Sequence, residues 1–102
     1  MTVVIREDYK AVVRPAGGSI VAASISELRA EMHSIVEEGV RELVIDLADV
    51  QMVDSSGIGL LISAYNALRK VGGRLTIINA SDDLLGLFQS MRMHEHFSVS
   101  GN

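Results

Sequence analysis

Two adjacent serines follow an aspartate in Val53-Asp54-Ser55-Ser56-Gly57-Ile58-Gly59, and no other stretch of the chain offers residue types so open to chemistry. Nucleophilic hydrolysis would need a base within reach of a hydroxyl. The turn D-S-S-G-I-G is not the G-x-S-x-G elbow of the hydrolases, and the histidines are His33, His94 and His96. His33 falls on a helix flank and the other two in a polar stretch near the end, which argues against a triad. His94 and His96 alternate without further ligands nearby in sequence, too little for a metal site. A phosphate-binding loop needs a lysine after its last glycine, and Gly57-Ile58-Gly59-Leu60 has none. An aspartyl phosphate at Asp54 would want extra carboxylates at another strand end and a lysine on a later strand. Glu7 and Asp8 fall in a hairpin turn, and no lysine follows Lys70. The expectation is therefore a chain that is not an enzyme, with no metal and no cofactor.

What remains is a hydroxyl displayed where a helix begins. With Asp54 as N-cap, its carboxylate accepts from first-turn amides, and Val53 and Ile58 occupy the two positions of a hydrophobic staple. Ser55 is then the first helical residue. Phosphate is tolerated there, because free backbone amides and the positive end of the helix dipole attract it. A dianion beside Asp54 would leave the fold standing and change what a partner meets. Spacing alone leaves a second reading open, a well-capped helix with no switch. Gly57 and Gly59 each cost the helix about 1 kcal/mol relative to Ala, so close approach by another group is the expected reason for both.

The flanking elements must position that turn. Residues 43–47, Leu-Val-Ile-Asp-Leu, form a nearly continuous apolar run and read as a central strand with helices on both faces. Asp46, its polar member, is expected at the strand end accepting hydrogen bonds. Residues 48–52 then cross the top of the sheet. The helix starting at Ser55 runs to about Val71, with Ile58, Leu61, Ile62, Tyr65 and Leu68 on one face; Arg69 and Lys70 suit its last turn, and Gly72-Gly73 stops it. Upstream, residues 3–6 and 10–14 form a hairpin, ended by Pro15, Gly17 and Gly18. Ser24-x-x-Glu27 has the form of a capping box, opening a helix that closes near Gly39 and buries Ile25, Leu28, Met32, Ile35, Val36 and Val40. Downstream come a buried strand at 74–80 and a third helix opened by Ser81, Asp82 and Asp83, with Leu84, Leu87, Phe88 and Met91 on one face. Residues 97–99 are a candidate edge strand. The order β-β-α-β-α-β-α, with a candidate last β, predicts a single α/β domain over residues 1–102 with a mixed sheet.

Composition bounds the rest. At 102 residues and 48% hydrophobic content, the chain suits one core without staples, and it has no cysteine. Nine basic against thirteen acidic residues give a formal charge of −4, which disfavours nucleic acid and anionic membrane. No apolar run approaches the roughly 18 residues of a membrane span, and the start lacks a basic segment followed by an apolar one. A cytoplasmic protein is expected.

These residues resemble the STAS domain family, the fold of bacterial anti-sigma-factor antagonists. The resemblance spans essentially the whole chain. Its most specific part runs from the 43–47 strand through Met52-Val53-Asp54-Ser55-Ser56-Gly57-Ile58-Gly59, with support from Gly72-Gly73-Arg74-Leu75 and Leu87-Phe88. It implies that Ser55 is phosphorylated by an anti-sigma factor with serine kinase activity. The unphosphorylated antagonist binds that kinase and frees the sigma factor, the phosphorylated one lets go, and a phosphatase resets it. Asp54, Ser56, Gly57 and Ile58 are the implied partner-binding residues. The same family also holds unswitched scaffold subunits of stress-signalling or lipid-transport complexes. One departure stands out: where antagonists commonly carry Gly-Glu-Leu-Asp before the first helix, this chain has Gly18-Ser19-Ile20-Val21, without the acidic residue. Residues 91–96 are also more polar than the family's usual Gly-Leu turn.

Overall fold

The computed structural model describes residues 3–101. Strands β1 (Val3–Glu7) and β2 (Lys10–Arg14) pair antiparallel around a tight turn in which Asp8 takes a left-handed φ of 53°. Helix α1 (Ile25–Glu37) leads to β4 (Glu42–Asp46), α2 (Ser55–Lys70) to β6 (Arg74–Ala80), and α3 (Asp82–Ser90) to β7 (Ser98–Gly101). These strands form one sheet in the order β1-β2-β4-β6-β7, parallel from β2 onward. The hairpin, the three helices and the last edge strand agree with the sequence pattern.

Two strands do not. Gly18–Ile20 (β3) and Val50–Val53 (β5) pair parallel as a separate two-stranded sheet, so residues 48–52 do not simply cross the sheet top. Val50 and Val53 are buried while Gln51 and Met52 between them are exposed. Four residues with two buried ends carry no strict alternation, and their partner lies some thirty positions upstream in the chain.

The expectation of helices on both faces is also corrected. From β2 the sheet grows in one direction, and right-handed crossovers then place all three helices on the same face. Along each strand alternate residues point to opposite faces. Ala11, Val13, Leu43, Ile45, Leu75 and Ile77 belong to the core shared with Leu28, Ile35, Leu61, Leu68 and Phe88. Burial of such side chains contributes about 1.5–3 kcal/mol each. Their neighbours Val12, Val44 and Thr76 point the other way and lie outside that core. Val44 is only 6% exposed even so, because Val12 and Thr76 flank it in register on the adjacent strands. An uninterrupted apolar run thus reflects shielding by strand neighbours rather than a second helical layer.

Other local features depart in smaller ways. Ile62 and Met91, expected on buried faces, are 39% and 49% exposed, and Leu60 is buried instead. Ser24 does not cap α1: its hydroxyl donates to the Val21 carbonyl at 3.1 Å within a 3-10 turn, Ala22–Ser24, that runs into the helix. Ser81 does cap α3, its Oγ accepting from the Leu84 amide at 3.2 Å.

Candidate functional site

The site is the junction of β5 and α2. Asp54 has an extended backbone, φ −92° and ψ −174°, immediately before the first helical residue. Its Oδ1 accepts from the Gly57 amide at 3.0 Å, the N-cap bond that the sequence predicts. Oδ2 reaches a different segment and accepts from the Ala22 amide at 3.2 Å. The Asp54 amide donates to the Ile20 carbonyl at 3.2 Å. One aspartate therefore ties the start of α2 to both β3 and the turn that follows it. The Gly57 amide, opposed by partial desolvation and aided by the Ala22 and Ser56 amides, holds the Asp54 carboxyl below the ordinary carboxylate range.

Gly57 is where close approach is realised. A Cβ there would lie 2.5 Å from the Ile20 carbonyl oxygen and 2.6 Å from Val53 Cγ1. The loss of helix propensity at this position is the condition for β3 and α2 to touch. Gly59 differs: a Cβ would meet nothing within 4 Å, so no packing inside the chain accounts for it.

Ser55 is exposed and Ser56 half-buried. Gly57 and Ile58 are buried, with Ile58 only 5% exposed. The Gly57 backbone and the Ile58 side chain belong to the packing under the site, and the exposed face is narrower than the span 54–58. Residues that sequence reasoning left out share it. Gly59 and Ile62, four and seven positions after Ser55, extend one outward stripe of α2, and Met52, 57% exposed, precedes the junction. The i, i+4, i+7 spacing from Ser55 was a signal for that stripe; nothing local marked Met52.

The surroundings are acidic. Asp46 ends β4 and Asp49 follows it, Asp54 caps α2, and Asp82 and Asp83 open α3. Asp46 accepts from the Ala48 amide at 2.9 Å and the Asn79 side-chain amide at 3.0 Å, the strand-end role expected of it. Arg14 forks onto Asp49 at 2.9 and 3.2 Å; that pairing raises the guanidinium's pKa and lowers the carboxyl's. The histidines lie elsewhere in the bonding pattern: exposed His33 meets Glu37 at 3.0 Å, and the His96 ring lies 5.7 Å from that of Tyr65. Among the described residues no group of three or more His, Cys, Asp or Glu could hold a metal ion, and no helix is long and apolar enough to cross a membrane.

A one-faced mixed sheet thus carries an exposed serine at the first position of α2, directly after an aspartate that bridges to β3 and the turn behind it. The model of the STAS domain matches residues 2–102, and the chain belongs to that family. Among curated relatives, the anti-sigma-B factor antagonist of Bacillus subtilis (strain 168) is 31% identical over 83 residues, 81% of this chain and 75% of that protein. The protein of the same name from Staphylococcus aureus (strain NCTC 8325 / PS 47) is 29% identical over 72% of this chain and 68% of its own length. In fold, the chain is similar to an anti-sigma factor antagonist from Mycobacterium paratuberculosis, with a TM-score of 0.87 at 22% identity, covering 100% of this chain and 86% of that one. It is also similar to the Bacillus antagonist SpoIIAA. The unphosphorylated form gives a TM-score of 0.84 at 20% identity, covering 97% of this chain and 87% of that one. The phosphorylated form gives 0.77 at 21%, covering 97% and 90%.

Proposed function

We propose that this chain is an anti-sigma-factor antagonist, a cytoplasmic binding module that regulates transcription indirectly and catalyses no reaction of its own. Its partner is an anti-sigma factor with serine kinase activity, bound when Ser55 is unphosphorylated and released when Ser55 carries phosphate; a phosphatase restores the first state. The observation that carries this reading is the exposure of Ser55 at the first helical position. A kinase reaches its hydroxyl without unfolding anything. Relatives named as antagonists, and the likeness of the fold to both forms of SpoIIAA, support the reading.

The expected mechanism is electrostatic and local. Phosphate adds about −1.5 to −2 charge at neutral pH beside Asp54, whose carboxylate is already committed to two amides. Asp54 keeps the β3–α2 contact closed, so the new charge acts on the docking surface rather than on the core. Repulsion at a docking face that must be desolvated raises the dissociation rate. Incubation with the cognate kinase and ATP, then peptide mass mapping, is expected to place one phosphate on Ser55; phosphate elsewhere, or none, sinks the proposal. Ser55→Glu is expected to lose the partner in a pull-down while keeping the circular dichroism of the unaltered chain.

A second reading, an unswitched scaffold subunit, is favoured by Val21. This half-buried apolar side chain stands next to the Ala22–Asp54 bond, where the family's antagonists commonly carry an acid. In that case Ser55→Ala and Ser55→Glu bind the partner alike.

A further inference from the structure

The face of the sheet opposite the helices is laid out in rows. The strand registers place Glu7, Lys10, Glu42 and Arg74 side by side on β1, β2, β4 and β6. The next row on that face is Ile5, Val12, Val44, Thr76 and, on β7, Ser98. Beyond it Arg14 leads towards Asp46. Arg6, on the other side of β1, pairs with Glu38 just past the end of α1, which confirms that the helices lie on the opposite face. Ile5 is 61% exposed, and none of Ile5, Val12, Val44 or Thr76 joins the helix-covered core. Arg14 is taken by Asp49 of its own chain, and Asp46 by Ala48 and Asn79; on a chain of net charge −4, the remaining ionic residues of this face balance, Glu7 and Glu42 against Lys10 and Arg74.

We propose that this face joins two copies of the chain about a two-fold axis parallel to the strands, running between β2 and β4. Such an axis keeps each row in place and reverses the order of strands across it. Lys10 then stands over Glu42 of the second copy, Glu7 over its Arg74, and Val12 over its Val44. Both ionic pairs are of opposite sign, and the apolar row lies beside them. The alternative two-fold, perpendicular to the strands, would put Lys10 over the Arg14–Asp49 pair and Glu42 over Asp46, which gives neither a free charge of opposite sign. The layout therefore selects both the partner and its orientation. Strands of the two sheets run nearly aligned, the ordinary geometry for stacked sheets about 10 Å apart.

The four strands that overlap, β1, β2, β4 and β6, are five to seven residues long and, spaced about 4.8 Å apart, make a footprint roughly 15–20 Å on a side. That is small for a stable interface, which typically buries at least about 1,200 Å² in total, so the dimer is weak and concentration-dependent. Because the axis follows the strands, both copies point their Ser55 ends the same way, and a partner that is itself two-fold would meet two serines together.

Sedimentation equilibrium on the full chain, across a concentration series, tests the proposal. A reversible monomer–dimer equilibrium, weakened by added salt, is expected. Lys10→Glu alone and Glu42→Lys alone should each be monomeric, since each homodimer sets like charges face to face. Mixed in equal amounts they should associate again, because each contact then pairs Glu with Lys. Recovery on mixing also establishes that both variants are folded. A chain that stays monomeric throughout, single variants that dimerise as the unaltered chain does, or a mixture that remains monomeric overturns it.

Discussion

The starts of α1 and α2 carry the same kind of written signal and meet different fates. Ser24-x-x-Glu27 has the form of a capping box, and Asp54 precedes a helix with a hydrophobic staple. Only Asp54 caps. The difference lies in what comes before. A strand, β5, delivers the chain to Asp54 in an extended conformation, so Asp54 stands at the lip of the helix and its carboxylate faces the free amides. Ahead of α1 the chain is already coiled in a 3-10 turn, and Ser24, with φ −115° and ψ 0°, lies within a continuing spiral. A cap is thus a property of the junction, and the residue type is only permissive for it.

The largest expected effect comes from breaking the contact that the α2 junction has and the α1 junction lacks. Gly57→Ala would drive a methyl group to 2.5 Å from a backbone oxygen on Ile20 and 2.6 Å from Val53 Cγ1. Backbone cannot move aside as a flexible side chain can, and overpacking of this kind costs about 1–3 kcal/mol. The propensity gain of about 1 kcal/mol offsets part of it. Urea unfolding is expected to show a lower midpoint; one raised by the full propensity gain of about 1 kcal/mol would mean that β3 does not press on α2.

Removing the aspartate itself comes next. Asp54→Ala leaves the Gly57 and Ala22 amides without their acceptor and should lower the unfolding midpoint with an unchanged denaturant slope. Its pH dependence follows from the sign of the shift. The folded-state pKa is depressed, so this contribution is fully present above the ordinary carboxylate value of about 4 and is lost as pH falls through the lower folded value. A plot of stability against pH below about 4 should be shallower for Asp54→Asn than for the unaltered chain. Equal slopes would show that the carboxylate's two hydrogen bonds carry no differential free energy.

Gly59→Ala sharpens the comparison with the opposite sign. Two residues beyond Gly57, on the outward side of the same helix, an added methyl meets nothing within 4 Å. It should stabilise the chain by about 1 kcal/mol. If the stripe Ser55, Gly59, Ile62 is the docking face, the same substitution weakens partner binding while raising the melting midpoint, a combination that a purely structural glycine does not give.

Much of this was legible in the sequence because the relevant causes are local. The hairpin, three amphipathic helices, the Asp54 and Ser81 caps and the strand-end role of Asp46 all follow from residues within a few positions of one another. The mini-sheet was not legible. β3 and β5 are three and four residues long, and they pair parallel across the whole of α1 and β4. The one-sided helix layer was misread for a related reason: Val44 owes its burial to Val12 and Thr76, which are distant in the chain. At the site, the serine, its cap, the inward Ile58 and the need for close approach at Gly57 were readable, whereas the group that approaches Gly57 belongs to β3, the strand that the pattern concealed.

The smallest expected effect tests the other half of the comparison. If Ser24 capped α1, its replacement by alanine would cost about 1 kcal/mol. Its hydroxyl instead lies within the preceding turn, donating to Val21 O at 3.1 Å and standing 3.5 Å from the Val21 amide, on an exposed side chain. Bonds of this local kind compete with water on nearly equal terms, and exposed substitutions without a special role stay within about 0.5 kcal/mol. Ser24→Ala is therefore expected to shift the urea midpoint barely at all, and less than Asp54→Ala does in the same buffer. A loss as large as that of the aspartate variant would mean that the 3-10 turn opens in solution and lets Ser24 reach the first amides of α1. The two helix starts would then be alike after all.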